Sequence, residues 1–223
     1  MRLRGFFIIL FRMNRTIFLI DGFNLYFSVR QASRDLGGKT TKWLDVQSLC
    51  SSLLHIVGND AQLENVYYFS AMVSHLQRNN PGIVSRQRAY LRCLENSGVN
   101  TVMGRFKKKN IRCHSCQTLN LHHEEKETDV AIALKLMEIF VRDECDTAVI
   151  VTGDTDLAPA FRTAQSLFPL KKVMFAFPYK RKNQELAKLT STFEIGRDTY
   201  LKHQFPDQVT LQNKKVITKP AKW

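Results

Sequence analysis

Short apolar segments alternate with longer stretches of helical periodicity along most of the chain, and this alternation constrains the fold more than any other feature. The apolar segments run from Thr16 to Ile20, Asn65 to Phe69, Val99 to Phe106, Asp146 to Thr152 and Lys171 to Phe177. Most are rich in Val, Ile, Tyr and Phe, which favour strands. Strands that alternate with helices form parallel sheets covered on both faces. The sequence therefore predicts an α/β fold with a doubly wound, mostly parallel sheet.

The segments between the strands predict helices with recognisable ends. Asp45 can cap one helix, and Pro81 opens a second that Gly98 closes. Another runs from Asp154 to Phe168, and the clearest runs from about Glu127 to Arg142. The spacing of apolar residues in the clearest helix predicts a buried face made of Val130, Leu134, Met137 and Val141.

Acidic residues follow two of the predicted strands and begin the clearest helix. Asp21 ends the first strand, with Asn24 as the predicted cap of the next helix, and Asp129 lies in the first turn of the clearest helix. Asp154 and Asp156 follow a fully apolar strand. Positions beyond the carboxyl ends of parallel strands line one crevice. The four carboxylates are therefore expected to converge.

A helix N-terminus is a sufficient structural reason for any one of these aspartates alone. Four carboxylates in one crevice are different, because they repel one another unless a cation neutralises them. Oxygen ligands suit Mg²⁺ or Mn²⁺. The pattern predicts a metal-dependent hydrolysis of phosphodiester bonds.

Three motifs in this order, DGFN at 21–24, KETD at 126–129 and TGDTD at 152–156, resemble the signature of NYN domains, which are PIN-like nucleases. The resemblance covers most of the chain from Thr16 to about Gly196. It implies a PIN-like three-layer sandwich and metal-dependent cleavage of RNA, with endonucleolytic attack expected. It also implies ligation of Mg²⁺ or Mn²⁺ by the four aspartates, with Asn24 and Thr152 supporting the site.

Two other functions compete with this interpretation. A non-catalytic RNA-binding module of the same fold is the main alternative, although binding phosphate gains nothing from four negative charges in the crevice. A phosphatase with an aspartyl nucleophile is disfavoured, because Phe23 stands where its general acid is needed.

The chain is strongly basic, with 33 Lys and Arg against 20 Asp and Glu and a net charge of +13. Such a charge favours nucleic acid as partner, although a solubilising surface or an anionic membrane surface would share it. Two basic clusters are expected at the acidic edge, where they would contact single-stranded RNA; the clusters are Lys107, Lys108, Lys109, Lys180, Arg181 and Lys182. Lys126, just before the clearest helix, either orients a substrate phosphate or pairs with Glu124 or Glu125. A third possible function is that of a protein-interaction adaptor that uses the Cys-containing insertion and the basic tail. The sequence is also compatible with a homo-oligomer.

The cysteines bear on metal binding and on location. Cys113 and Cys116 have zinc spacing, and His122 could join them, so a structural zinc site and a zinc-free pair of loop thiols both stay open. The other cysteines lie in apolar periodic stretches and are expected to be buried. No disulfide framework emerges, which predicts a reducing, cytoplasmic location.

The predicted nuclease domain spans residues 14–196, with a basic, Cys-containing insertion at 107–125. Residues 1–13 form a predicted N-terminal extension whose apolar run is too short to span a bilayer, and Met13 is an alternative start. Residues 197–223 are predicted to form a basic, loosely held tail.

Overall fold

The computed structural model describes residues 13–112 and 117–221, with the backbone alone at residues 120–122. Residues 1–12 of the predicted extension lie outside the described residues. The same holds for Cys113, Cys116 and the side chain of His122, on which the zinc prediction depends. Cys50, Cys93 and Cys145 are buried free thiols, which confirms their predicted place in the core.

The main sheet has seven strands in the order β4-β3-β2-β1-β5-β6-β7. Its strands are β1 (Asn14–Asp21), β2 (Ala61–Ala71), β3 (Val99–Arg112), β4 (Leu119–Lys126), β5 (Thr147–Val151), β6 (Lys172–Phe177) and β7 (Thr192–Glu194). Only β4 pairs antiparallel within this sheet, against β3. Two further strands, β8 (Gln208–Thr210) and β9 (Val216–Thr218), form a separate antiparallel hairpin.

Helices connect most of the successive strands, and the last helix leads from β7 to the β8–β9 hairpin. They are α1 (Gly22–Asp35), α2 (Val46–Val57), α3 (Ile83–Asn96), α4 (Thr128–Val141), α5 (Ala158–Leu167), α6 (Gln184–Ala187) and α7 (Arg197–Lys202). Asp45 caps α2 as predicted, because its side chain accepts a hydrogen bond from the amide of Ser48 at 3.0 Å. The architecture confirms the predicted α/β fold and is consistent with a PIN-like sandwich.

The two faces of the sheet carry separate hydrophobic cores. Along β1, Phe18 and Ile20 face a core shared with α1, α2 and α3, whereas Ile17 and Leu19 face a core shared with α4 and α5. All four side chains are at most 1% exposed. A strand buried on both faces shows no polar alternation, which explains the continuous apolar run in the sequence.

Helix α4 packs against the sheet through a different face from the predicted one. Val130, Leu134 and Val141 are 62%, 65% and 71% exposed, and Met137 is only partly buried. The buried face consists instead of Ile132, Leu136, Ile139 and Phe140. The prediction was wrong because this helix is apolar nearly all round, so that two faces satisfied the helical spacing.

The C-terminal residues also differ from the prediction. Tyr200 of α7 is fully buried, and Phe205, Val209 and Ile217 join the core on the α1 side of the sheet. The expectation of a loosely held tail is therefore wrong for residues 197–221. The apolar residues there are too widely spaced to give a periodic signal, because they belong to one short helix and two short strands.

Candidate active site

The carboxyl ends of β1 and β5 bring two of the predicted motifs side by side. The strands are parallel neighbours, with Ile20 opposite Val151, so the residues that follow each strand also face one another. The hydroxyl of Thr152 donates a hydrogen bond to Oδ2 of Asp21 at 2.9 Å. Thr152 is fully buried and Asp21 is 6% exposed. This pair links the carboxyl ends of β1 and β5, where the sequence predicted the crevice.

Asp21 is the N-terminal cap of α1, a role that the sequence assigned to Asn24. Its Oδ1 accepts a hydrogen bond from the amide of Asn24 at 2.9 Å. Asn24 lies inside the helix, and its Oδ1 accepts from the amide of Gly153 at 3.2 Å. The cap prediction was wrong because β1 ends one residue before α1 begins, so the acid that ends the strand is also the cap. Asn24 instead ties the two loops of the crevice together.

Burial raises the pKa of Asp21, because a carboxylate loses hydration when it leaves water. Its two hydrogen bonds favour the charged form and partly offset that effect. Nearby Asp154 and Glu125 raise the pKa further through charge repulsion. Asp21 is therefore a buried acid held in one orientation.

Asp129 lies in the first turn of α4, as predicted. Burial, followed by the charges of Asp21, Asp154, Glu125 and Asp156, raises its pKa to about 6. These effects show that the structure brings the four predicted aspartates into one electrostatic neighbourhood. Asp129 shares the buried face of α4, since Ile132 and Leu136 follow it at helical spacing. The actual orientation of α4 thus turns Asp129 toward the crevice.

A short 3-10 turn, Thr155–Leu157, follows β5; Asp154 caps it and Asp156 lies within it. The amide of Asp154 donates to the hydroxyl of Thr152 at 3.1 Å, and the amide of Asp156 donates to Oδ1 of Asp154 at 3.1 Å. Gly153 is needed between Thr152 and Asp154, because an added Cβ would lie 2.1 Å from the carbonyl oxygen of Arg181. The loop after β6 therefore closes directly against this turn.

Glu125 is a fifth acid of the crevice that the sequence analysis missed. It lies on β4, and its carboxylate accepts hydrogen bonds from the hydroxyl and the amide of Thr128. Its charge contributes to the raised pKa values of Asp21 and Asp129. The sequence signal was the acidic run before α4, which we interpreted only as a set of pairing partners for Lys126. The hairpin of β3 and β4 is what carries Glu125 to the crevice.

The acids offer the oxygen donors that Mg²⁺ and Mn²⁺ prefer, and their mutual repulsion would be relieved by a cation. Within residues 13–112 and 117–221, however, no three acidic, histidine or cysteine side chains are arranged as a ready-made metal site. Mg²⁺ often keeps several waters and binds through one or two carboxylates together with substrate phosphate. The residues present fit an ion bound in that manner.

The predicted basic residues flank the acids on opposite sides of the sheet order. Lys107, Lys108 and Lys109 lie on the part of β3 that extends past its pairing with β2, which ends at Gly104. The second cluster follows β6. Most of these basic groups already have partners in the protein. Lys109 and Lys126 both pair with Glu124, at 3.6 and 2.8 Å. After β6, Lys180 pairs with Asp35 at 2.8 Å, Lys182 pairs with Glu194 at 2.7 Å, and Arg181 lies over the ring of Phe27 at 5.6 Å.

A mostly parallel sheet with acids at its carboxyl edge is consistent with the PIN-like nuclease fold. The family model for the NYN domain matches residues 15–195, and the chain belongs to this family. That match confirms the resemblance seen in the three motifs. Membership points to nucleic acid as the class of ligand.

Two individual proteins add to the comparison. The chain is 27% identical over 179 residues to 6-hydroxy-3-succinoylpyridine 3-monooxygenase of Pseudomonas putida (strain DSM 28022 / S16), over 66% of this chain and 54% of the relative. It therefore spans about half the length of that relative. The fold resembles a crystal structure of a protein of unknown function from Vibrio parahaemolyticus RIMD 2210633, with a TM-score of 0.54 and 20% identity over 83% of this chain and 95% of the other. That likeness supports the fold alone.

Among the helices of the described residues, none combines the length and apolar character required to cross a bilayer.

Proposed function

We propose that this protein is a metal-dependent ribonuclease that hydrolyses phosphodiester bonds at the acidic crevice. The observation that carries the proposal is the electrostatic coupling of Asp129 with Asp21, Asp154, Glu125 and Asp156, which adds to burial in raising the pKa of Asp129 to about 6. Such a grouping destabilises the folded protein unless cations enter it, and it is typical of metal-dependent phosphoryl chemistry.

The acidic residues of the crevice would have different roles according to their positions. Asp21 is fixed by Asn24 and Thr152, so its carboxylate is preorganised toward the crevice. Asp129, Asp154 and Asp156 are more accessible and would hold the hydrated cation and orient the attacking water. When bound, Mg²⁺ or Mn²⁺ would lower the pKa of a water molecule and stabilise the developing charge on the leaving oxygen. Lys126 lies three residues before Asp129 and could contact a substrate phosphate.

RNA is the proposed substrate, with single-stranded segments preferred. The basic extension of β3 and the basic loop after β6 lie on either side of the crevice, which suits a strand that passes between them. Two aromatic rings near the crevice, Phe23 and Phe106, lie edge to face with centroids 5.6 Å apart. An unpaired base could stack on such rings. The acidic crevice favours hydrolysis over the monooxygenase activity that the name of the Pseudomonas relative states.

The test is cleavage of an end-labelled single-stranded RNA in Mg²⁺ or Mn²⁺. We expect cleavage that EDTA abolishes and that added Mg²⁺ or Mn²⁺ restores. Asp154→Asn should lower the rate at least about a hundredfold, whereas Asp198→Asn, an exposed acid of α7, should leave it unchanged. RNA binding without cleavage in every metal tested would refute the nuclease and support the non-catalytic binding module.

A further inference from the structure

A cavity of about 190 Å³ opens beside the acidic crevice, between α1, α3 and β2. Gly22, the residue directly after Asp21, lines it, and so does Phe23. The cavity is therefore one residue along the backbone from the buried acid of the crevice. An apolar protein cavity of about 150 Å³ can bind benzene, so this one has room for a substituted six-membered ring.

The inner wall of the cavity is aromatic, and the hydroxyl groups of its tyrosines already make hydrogen bonds within the protein. The hydroxyl of Tyr90 donates to the carbonyl of Leu44 at 2.8 Å, and that of Tyr68 donates to the carbonyl of Gly22 at 3.4 Å. Both tyrosines are at most 8% exposed. With their hydroxyls engaged, these residues offer ring surface rather than hydrogen-bonding groups. Such a wall suits a flat heterocycle.

The mouth of the cavity carries positive charge without acidic partners. Lys42 and Arg86 line the cavity and are both partly exposed, and Arg30 is close enough to act on Lys42. None of the three forms an ion pair with an acid in the part of the chain that the structure describes. Arg86 donates only to neutral oxygens, those of Asn80 at 2.7 Å and Pro81 at 3.1 Å. Burial and the charges of Arg30 and Arg86 lower the pKa of Lys42.

The cations at this cavity resemble the acids in the crevice in one respect, since both groups place like charges together without a partner of opposite sign among the described residues. Like charges that face each other without a partner are relieved by a ligand of opposite sign. A ligand for this cavity therefore combines a flat ring with an anionic group. A nucleotide of an RNA strand has both, since its base is aromatic and its phosphate is charged.

We infer that this cavity is a nucleotide-binding subsite, in which the base of a nucleotide next to the cleaved phosphate lies against Tyr68 and Tyr90 while Lys42 and Arg86 hold a phosphate. The inference rests on the proposed ribonuclease function and deepens it. It means that cleavage depends on the identity of one neighbouring nucleotide, because a confined pocket accepts some bases better than others.

Binding of the four nucleoside 5′-monophosphates to the whole protein in EDTA tests the subsite without cleavage. Tyrosine fluorescence or calorimetry would follow the titration. We expect saturable binding, weakened about tenfold by Lys42→Gln. Lys172→Gln removes the same charge at the amino end of β6 and should have no effect. Leu76→Trp at the rim should also weaken binding, whereas Leu170→Trp, which changes a leucine that is 97% exposed, should not.

The second arm maps the cleavage sites in a mixed-sequence single-stranded RNA. The wild type should cut unevenly with respect to one neighbouring base, and Leu76→Trp should flatten that preference while cleavage continues. Unchanged nucleotide binding or an unchanged cleavage profile in the cavity variants, shown to be folded by circular dichroism, overturns the subsite and leaves the nuclease standing. If the wild type cleaves no RNA, the nuclease proposal fails, and the nucleotide titration still decides the subsite.

Discussion

Asp129→Asn should stabilise the protein in the absence of metal, although it removes a proposed catalytic group. The pKa of Asp129 is about 6 against an ordinary 3.8, and a difference of about two pKa units corresponds to about 3 kcal/mol. Solvent screening of this half-buried acid reduces the value to about 1.5 kcal/mol. Since the pKa is raised in the folded state, the stability gained by protonation is complete below about pH 4 and is lost as the pH rises through 6.

Urea unfolding in EDTA at pH 5 and pH 8 measures this effect. The variant should exceed the wild type by about 1.5 kcal/mol at pH 8 and by about half as much at pH 5, where Asp129 is still ionised in the unfolded wild type. Mg²⁺ at pH 8 should narrow the difference, because a bound cation stabilises only the intact carboxylate cluster. Asp198→Asn is the matched control, since Asp198 lies in the first turn of α7 with a side chain that is 70% exposed. A variant less stable than the wild type at pH 8 in EDTA would refute the reasoning.

Four further substitutions test the scaffold. Gly153→Ala should abolish cleavage and lower the melting temperature, because the new methyl group would collide with the backbone after β6. Asp146→Asn should lower the free energy of unfolding at pH 7 by about 2 kcal/mol; since ion pairing lowers the pKa of Asp146 in the folded protein, the difference should vanish in acid. Leu134→Glu should change stability by less than about 0.5 kcal/mol, whereas Leu136→Glu should prevent folding, and equal effects of the two would contradict the packing of α4.

Much of the fold could be predicted from the sequence because β1 and β5 are buried on both faces. Continuous runs such as Ile17 to Ile20 leave few alternatives to a central parallel strand. Helix α4 could not be oriented in this way, because its sequence offers apolar residues on nearly every side. The positions of Ile132 and Leu136 become decisive only when a second constraint is added, namely that Asp129 must face the acidic edge.

The site could be predicted where acids follow strands directly, as Asp21 and Asp154 do. Glu125 was missed because it comes from an antiparallel strand at the edge of the sheet, and the register of that hairpin cannot be read from local spacing. The cavity beside the crevice was missed for a similar reason. Its walls come from helices and a strand far apart in sequence, and Lys42 stands alone in the sequence with no neighbouring motif.

Like charges lie together at the carboxyl edge of the sheet, whereas opposite charges pair at its amino edge. This separation explains how the fold tolerates the site. At the carboxyl edge, the charge of Asp154 after β5 adds to burial in raising the pKa of Asp21, which ends β1. At the opposite edge, Arg15 of β1 makes a bidentate contact with Asp146 before β5, at 3.0 and 3.1 Å. The same two strands therefore carry repulsion at one end and attraction at the other. Because the buried strands hold both ends in register, the crevice can keep unpaired negative charge ready for a cation.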